Sequence, residues 1–182
     1  IKLTYTLPKI LDVEKNNPLG QDIWTELDKF ILPKCVTQKE YCEEKIRRTG
    51  MKKAQNAGKR KEIWEAVETI FTEWNKLEEQ PVQYAIYKLV QKIENGEYTI
   101  PEELKTDYLF VDEAQDLSAA TLRLIRTTVR ESMILAGDND QSVFQPGFTW
   151  NRAGIDINGH SKILNINFRS TNQINEVAEK YR

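Results

Sequence analysis

Two carboxylates stand side by side where an apolar run stops. In "YLFVDEAQDLS", residues 108–118, Leu109, Phe110 and Val111 lead straight into Asp112 and Glu113. One such carboxylate can hold Mg²⁺, directly or through water, and its neighbour can accept a proton from a water attacking a phosphate. The pattern recurs twice downstream: "MILAGDNDQSVF" runs an apolar stretch into Gly137, Asp138, Gln141 and Ser142, and "NINFRST" puts Arg169 just beyond a third. A side-chain amide suits contact with a phosphate or its attacking water, and a guanidinium suits a transferring phosphoryl group. Each alone also reads as an ordinary polar loop, and a strand-end "DE" as acid favoured by the dipole of a following helix. Acid, amide and guanidinium in succession point to phosphoryl chemistry.

Such residues need elements that end at one place. From residue 107 onward, "DYLFVD" and "MILAGD" read as strands, "SAATLRLIRTTVRES" as a helix capped by Ser118, and "SKILNINF" as a third strand. A last helix begins near Asn172, with Thr171 or Ser170 as its cap. Strands that are apolar throughout predict a parallel sheet covered on both faces, with ligands at the carboxyl ends of the strands. Residues 139–159 form an irregular stretch rich in Gly, Asn and aromatics.

The first hundred residues carry helical periodicity instead. In "GQDIWTELDKFIL", Ile23, Trp24, Leu27, Phe30 and Ile31 share a face, and Pro33 ends the run. In "KRKEIWEAVETIFTEWNKLEEQ", Ile63, Trp64, Val67, Ile70, Phe71, Trp74 and Leu77 recur at three- and four-residue steps. Pro81 opens a third helix that closes at Gly96. Trp24, Trp64 and Trp74 lie on the apolar faces and read as packing residues.

A chain of 182 residues accommodates one full-sized domain, or a smaller core with an insertion. Its 40% hydrophobic and 30% charged content is ordinary for a soluble protein, and a net charge of -2 carries no global sign of nucleic-acid binding. No apolar run reaches the roughly 18 residues that span a bilayer, and "IKLTYTLPKI" lacks a signal-peptide core, so the expected location is cytoplasmic, without a membrane partner. Cys35 and Cys42 fit neither a redox pair nor half a zinc site and read as passive thiols. His160 reads as a surface residue. A chain that opens on Ile and stops at Arg182 within a helical pattern reads as a piece of something larger.

In their order and separation, "VDEAQDLS", "GDNDQSVF" and "LNINFRST" resemble motifs II, III and IV of the UvrD/Rep-like superfamily 1 DNA helicases. The specific similarity spans residues 107–175, with a looser likeness in "RRTGMKKAQNAGKRKEIWEAV"; residues 1–45 add nothing to it. The resemblance implies an α/β fold: a partial RecA-like (P-loop NTPase type) parallel sheet over residues 101–182, carrying a mainly helical insertion over residues 1–100. It implies Asp112 as a Mg²⁺ ligand, Glu113 as the base that orients water, and Gln115 and Asp116 as a coupling network behind them. Gln141 would sense the γ-phosphate and pass its loss to the DNA site, and Arg169 would act as an internal arginine finger. The implied activity is that of an ATP-dependent helicase or translocase moving 3′ to 5′ on single-stranded DNA. Its implied partners are DNA, single-stranded or with a 3′ tail, and the remaining helicase domains of the parent chain.

A nucleotide site also needs a phosphate cradle of the form G-x-x-x-x-G-K-[ST]. The one candidate, "KKAQNAGKRK", has Lys53 where the first Gly belongs and Arg60 where Ser or Thr should follow Lys59. ATP and Mg²⁺ are therefore not expected to be held stably by this chain alone. The same region is basic: residues 45–61 contain eight Lys and Arg and no acid, making Lys52, Lys53, Lys59 and Arg60 candidates for DNA phosphates. Phe148 and Trp150 could each stack on a base, or equally belong to the core. The competing class is a non-catalytic DNA- or protein-binding module on a helicase-derived scaffold.

Overall fold

The computed structural model describes residues 2–4, 20–44, 46, 48, 51, 55–138, 150–156, 158–163 and 170–180. Helix α1 (Gly20–Glu26) runs into a π-helical stretch, Leu27–Ile31, and together they bury the expected face of Ile23, Trp24, Leu27, Phe30 and Ile31. Helix α2 (Gln38–Cys42) starts at a capping box: Thr37 Oγ1 accepts the Glu40 N–H, and the Glu40 carboxylate accepts the Thr37 N–H at 2.8 Å. Helix α3 (Ala57–Trp74) is capped by Asn56, whose side chain accepts the Lys59 N–H, and α4 (Val82–Glu94) follows Pro81. The periodic residues of α3 turn inward as expected, apart from Leu77, which lies beyond the helix and is exposed.

Aromatic rings close this helical core. Phe71 stacks on Tyr84 with centroids 4.6 Å apart, Trp74 meets Tyr84 at 5.2 Å, and Trp24 meets Trp74 at 6.3 Å. Such rings bury large apolar areas and pair with preferred geometry, so they dominate the packing energy of a small core. Between α3 and α4 lies a pairing that periodicity gave no sign of: β1 (Lys2–Thr4) runs parallel to β2 (Glu79–Pro81).

The second sheet is a β-α-β unit. Strand β3 (Thr106–Val111) and strand β4 (Val129–Leu135) are parallel, with Phe110 opposite Ile134 and Val111 opposite Leu135, and helix α5 (Ala119–Arg126) crosses between them. Ser118 caps α5, accepting the Thr121 N–H at 3.0 Å. The helix is shorter than its sequence pattern predicts and stops at Arg126 rather than continuing toward Ser132. Thr127 and Thr128 turn their hydroxyls onto the carbonyls of Leu124 and Ile125, at 2.6 and 2.7 Å, and β-branched Val129 enters the strand.

Two further expectations differ. Among the described residues the second sheet is covered on one face, because its crossover helix lies on one side: Leu135 packs with Ala119 and Leu122, whereas Tyr108, Phe110 and Ile134 remain 64%, 73% and 53% exposed. Residues 161–163 of the expected third strand adopt no regular structure, and residues 164–168 lie outside the described residues. Helix α6 (Asn172–Glu179) is capped by Thr171, whose hydroxyl accepts the Ile174 N–H.

Three successive carbonyls join the helical part to the β-α-β part. Pro33 ends the helical run as expected, Cys35 adopts a left-handed φ of 50°, and the carbonyls thus turned outward find partners far along the chain. Pro33 O accepts the Ala120 N–H at 2.9 Å, Lys34 O accepts Arg152 Nε at 2.7 Å, and Cys35 O accepts from Arg152 at 3.1 Å and Arg123 at 3.4 Å. Arg123 also pairs with Glu94 of α4, its Nε 2.8 Å from the carboxylate. Among the described residues no helix is long and apolar enough to cross a membrane.

Candidate active site at the strand ends

The sheet hydrogen bonds skip the two carboxylates. Ala136 donates its N–H to Val111 O at 2.8 Å, and its own carbonyl accepts the Ala114 N–H at 2.9 Å. Asp112 and Glu113, bracketed by those bonds, are set out of the ladder and exposed at the carboxyl end of β3. Glu113 takes a left-handed backbone, φ 51° and ψ 40°, a conformation costing a residue with a Cβ roughly 1–2 kcal/mol. Asp112 Oδ1 accepts the Glu113 N–H at 2.9 Å and offsets part of that cost.

The Glu113 side chain is held as well. Gln115, buried in the short 3-10 turn Ala114–Asp116, donates from Nε2 to Glu113 Oε2 at 2.6 Å. Its Oε1 accepts the Asp138 N–H at 3.0 Å, at the end of β4. The two partners fix the amide's orientation, since reversing it would oppose oxygen to carboxylate and nitrogen to N–H. A bond from a neutral donor to a carboxylate contributes about 1.5–3 kcal/mol, comparable to the backbone cost at Glu113. The site is thus a short strained loop fastened to both strand ends.

Asp112, Glu113, Gln115, Gly137 and Asp138 therefore come together where the two strands end. Gln141 and Arg169 lie outside the described residues. No group of three or more His, Cys, Asp or Glu side chains among the described residues could cage a metal ion. Mg²⁺ bound with a nucleotide takes one or two carboxylates and completes its shell with phosphate oxygens and water. Asp112 is one exposed carboxylate that could serve such an ion, with one oxygen engaged by the Glu113 N–H.

The basic run divides. Arg48 is turned inward: its guanidinium forks onto buried Glu26, with Nη1 2.8 Å from Oε2, and lies 5.1 Å over the Phe30 ring. Tyr41 donates to the same carboxylate at 2.9 Å, and burial together with Glu26 pushes its hydroxyl well above the ordinary tyrosine range. Lys59, Arg60 and Lys61 occupy the first turns of α3, whose first turn carries no acid. Arg60 Nη1 reaches back to the Glu44 carbonyl at 3.2 Å, so part of its guanidinium is engaged. Lys52, Lys53 and Phe148 lie outside the described residues. Trp150 is half-buried in the turn Trp150–Ala153, packed around Ala119, Leu122 and Ala153.

Arg152 carries more than its sequence context suggests. Besides the two carbonyls, it binds both oxygens of Glu40, at 2.5 and 2.9 Å. Burial opposes the charge on Glu40, but Arg152 and the Thr37 N–H outweigh it and hold the carboxyl down at about 2. Only a lone Arg amid "FTWNRAGI" marked it in the sequence, and it needs the distant carbonyls to acquire meaning. Cys35 is buried, Cys42 half-buried and both are free, while His160 is exposed.

The model of the UvrD/REP helicase N-terminal domain family matches residues 8–158. That interval takes in the helical part, Asp112, Glu113 and Gln141, and stops short of Arg169. A curated relative, named "Probable DNA helicase II homolog" in Mycoplasma capricolum subsp. capricolum, is 30% identical over 118 residues, covering 59% of this chain. The chain spans only 16% of that relative's length. No solved structure matches. A match over most of the chain, with the paired carboxylates set out at a parallel strand end inside it, shows that the chain belongs to the UvrD/REP helicase N-terminal domain family.

Proposed function

We propose that this chain is part of the motor of an ATP-dependent DNA helicase, working within a longer polypeptide that supplies the phosphate cradle. In this reading residues 101–182 belong to a RecA-like ATPase core and residues 1–100 form a helical insertion. The observation that carries it is the Asp112–Glu113 pair, lifted out of a parallel ladder and held from behind by Gln115. Asp112 would hold Mg²⁺, which when bound with the nucleotide offsets phosphate charge. Glu113 accepts a proton from the attacking water as its oxygen bonds to the γ-phosphorus; the bond to the bridging oxygen breaks, and ADP leaves with the electron pair. Gln141 and Arg169 complete the site as phosphate sensor and internal arginine finger.

A general base contributes about 10²–10⁴-fold, so Glu113→Gln in the intact protein is expected to lower ATP turnover by at least about 100-fold with ATP binding retained. Turnover within a few-fold of wild type removes Glu113 from that role.

Hydrolysis would be coupled to movement on single-stranded DNA. The support is electrostatic: Lys59 and Lys61 add charge to the positive end of the α3 dipole, where basic side chains lower helix stability and favour a phosphate. Lys52, Lys53 and Arg60 extend this surface in the proposal, with Phe148 or Trp150 as stacking platform. Neutralising Lys52, Lys53, Lys59 and Arg60 together is expected to reduce the salt dependence of DNA affinity, by about one unit of slope per lost contact. An unchanged slope makes the run a bystander.

A further inference from the structure

We infer that Gln115 is a positioning residue, a strut that sets the Glu113 carboxylate from the end of β4, and that Gly137 is glycine because the strut needs its space. The inference rests on the ATPase reading for its consequence but on separate observations for its geometry. Gln115 is 2% exposed, too buried to serve as a solvent contact, and both ends of its amide are used: Nε2 on Glu113 at 2.6 Å and Oε1 on the Asp138 N–H at 3.0 Å. A buried amide with both ends satisfied holds one orientation, because any rotation leaves a donor or acceptor unpaired.

Gly137 stands against that amide. A Cβ placed on it would lie 2.5 Å from Gln115 Oε1, 3.3 Å from the Gln115 N and 3.4 Å from the Ala114 N. Its backbone is not among the left-handed positions of the chain, so conformational freedom does not explain the glycine and close approach does. Backbone atoms cannot give way cheaply where Ala136 ties both strands, so the Gln115 side chain must move instead. Moving Oε1 off the Asp138 N–H swings Nε2 off Glu113. The glycine on one strand therefore acts on the carboxylate of the other through a single side chain.

The geometry is tested without nucleotide. In the NMR spectrum of this chain the Gln115 side-chain amide protons are expected to be protected from exchange and to shift when Glu113→Ala or Gly137→Ala is introduced. An unprotected Gln115 amide that neither change moves overturns the strut.

Its consequence is tested in the intact protein with Gln115→Met, which keeps length and loses the donor. The expected result is a roughly tenfold lower kcat, with KM for ATP within about twofold, since one positioning contact made to the base acts on the chemical step. Gly137→Ala is expected to reproduce that split, the pair together to be no worse than either alone, and neither change to add to Glu113→Gln. A kcat within twofold of wild type in Gln115→Met, or an equal loss in the Glu113→Gln background, overturns the positioning role. If Glu113→Gln itself turns over normally, the base assignment falls, while the amide spectrum still decides the strut.

Discussion

Trp74 and Phe110 are both large aromatics in regular elements, and their surroundings are opposite. Trp74 has no exposed surface and sits among Trp24, Phe71 and Tyr84, whereas Phe110 keeps 73% of its surface in solvent on the open face of the second sheet. The helical region is held by side chains interdigitating; among the described residues the β3–β4 region is held by backbone pairing and by a helix on one face. The division separates tasks. Packing strength resides in the helices, and the carboxylates stand at the end of a sheet whose local order depends on a few hydrogen bonds at Ala136 and Gln115.

The largest expected effect tests the helical side. Trp74→Ala should lower unfolding free energy by about 3–5 kcal/mol, the cost of a cavity where a buried ring stood, as read by denaturant titration. A loss below about 1 kcal/mol would mean that the aromatic cluster is not the stabilising centre.

An intermediate effect tests the joint between the regions. Glu40 is held at about 2, below the ordinary 4.5, so its ionised form favours the folded state above pH 4.5 and that stability is lost as pH falls toward 2. With a carboxylate still partly solvated, about 2 kcal/mol is at stake, and Arg152→Met should remove much of it and flatten the acid limb of the stability profile. An acid limb as steep as in wild type would assign Glu40's charge to the Thr37 capping box instead.

The smallest effect lies on the open face. Phe110→Thr replaces an exposed aromatic with a β-branched residue that also favours strands, and should change stability by less than about 0.5 kcal/mol. A loss above about 2 kcal/mol in this chain would show that the face is covered and erase the contrast with Trp74.

The helical faces were legible because their periodicity spans several turns, and so were the caps at Ser118 and Thr171, where a hydroxyl precedes the run it caps. The strand-end carboxylates were legible for a related reason: an apolar strand must end before a charged pair can face water. Other features were set by partners distant in sequence. The β1–β2 pairing uses three residues a side and shows no alternation, and the early end of α5 depends on two threonine hydroxyls competing with a helical pattern. Arg48 read as part of a basic surface, yet Glu26 draws it inside. Gly137 read as a strand-end glycine, and only the position of Gln115 explains why nothing larger fits.

Arg152 acts as a rivet between residues far apart in the chain. One guanidinium grips Glu40 and the carbonyls of Lys34 and Cys35, so a displacement of the Trp150–Ala153 turn would be felt at the capping box that starts α2.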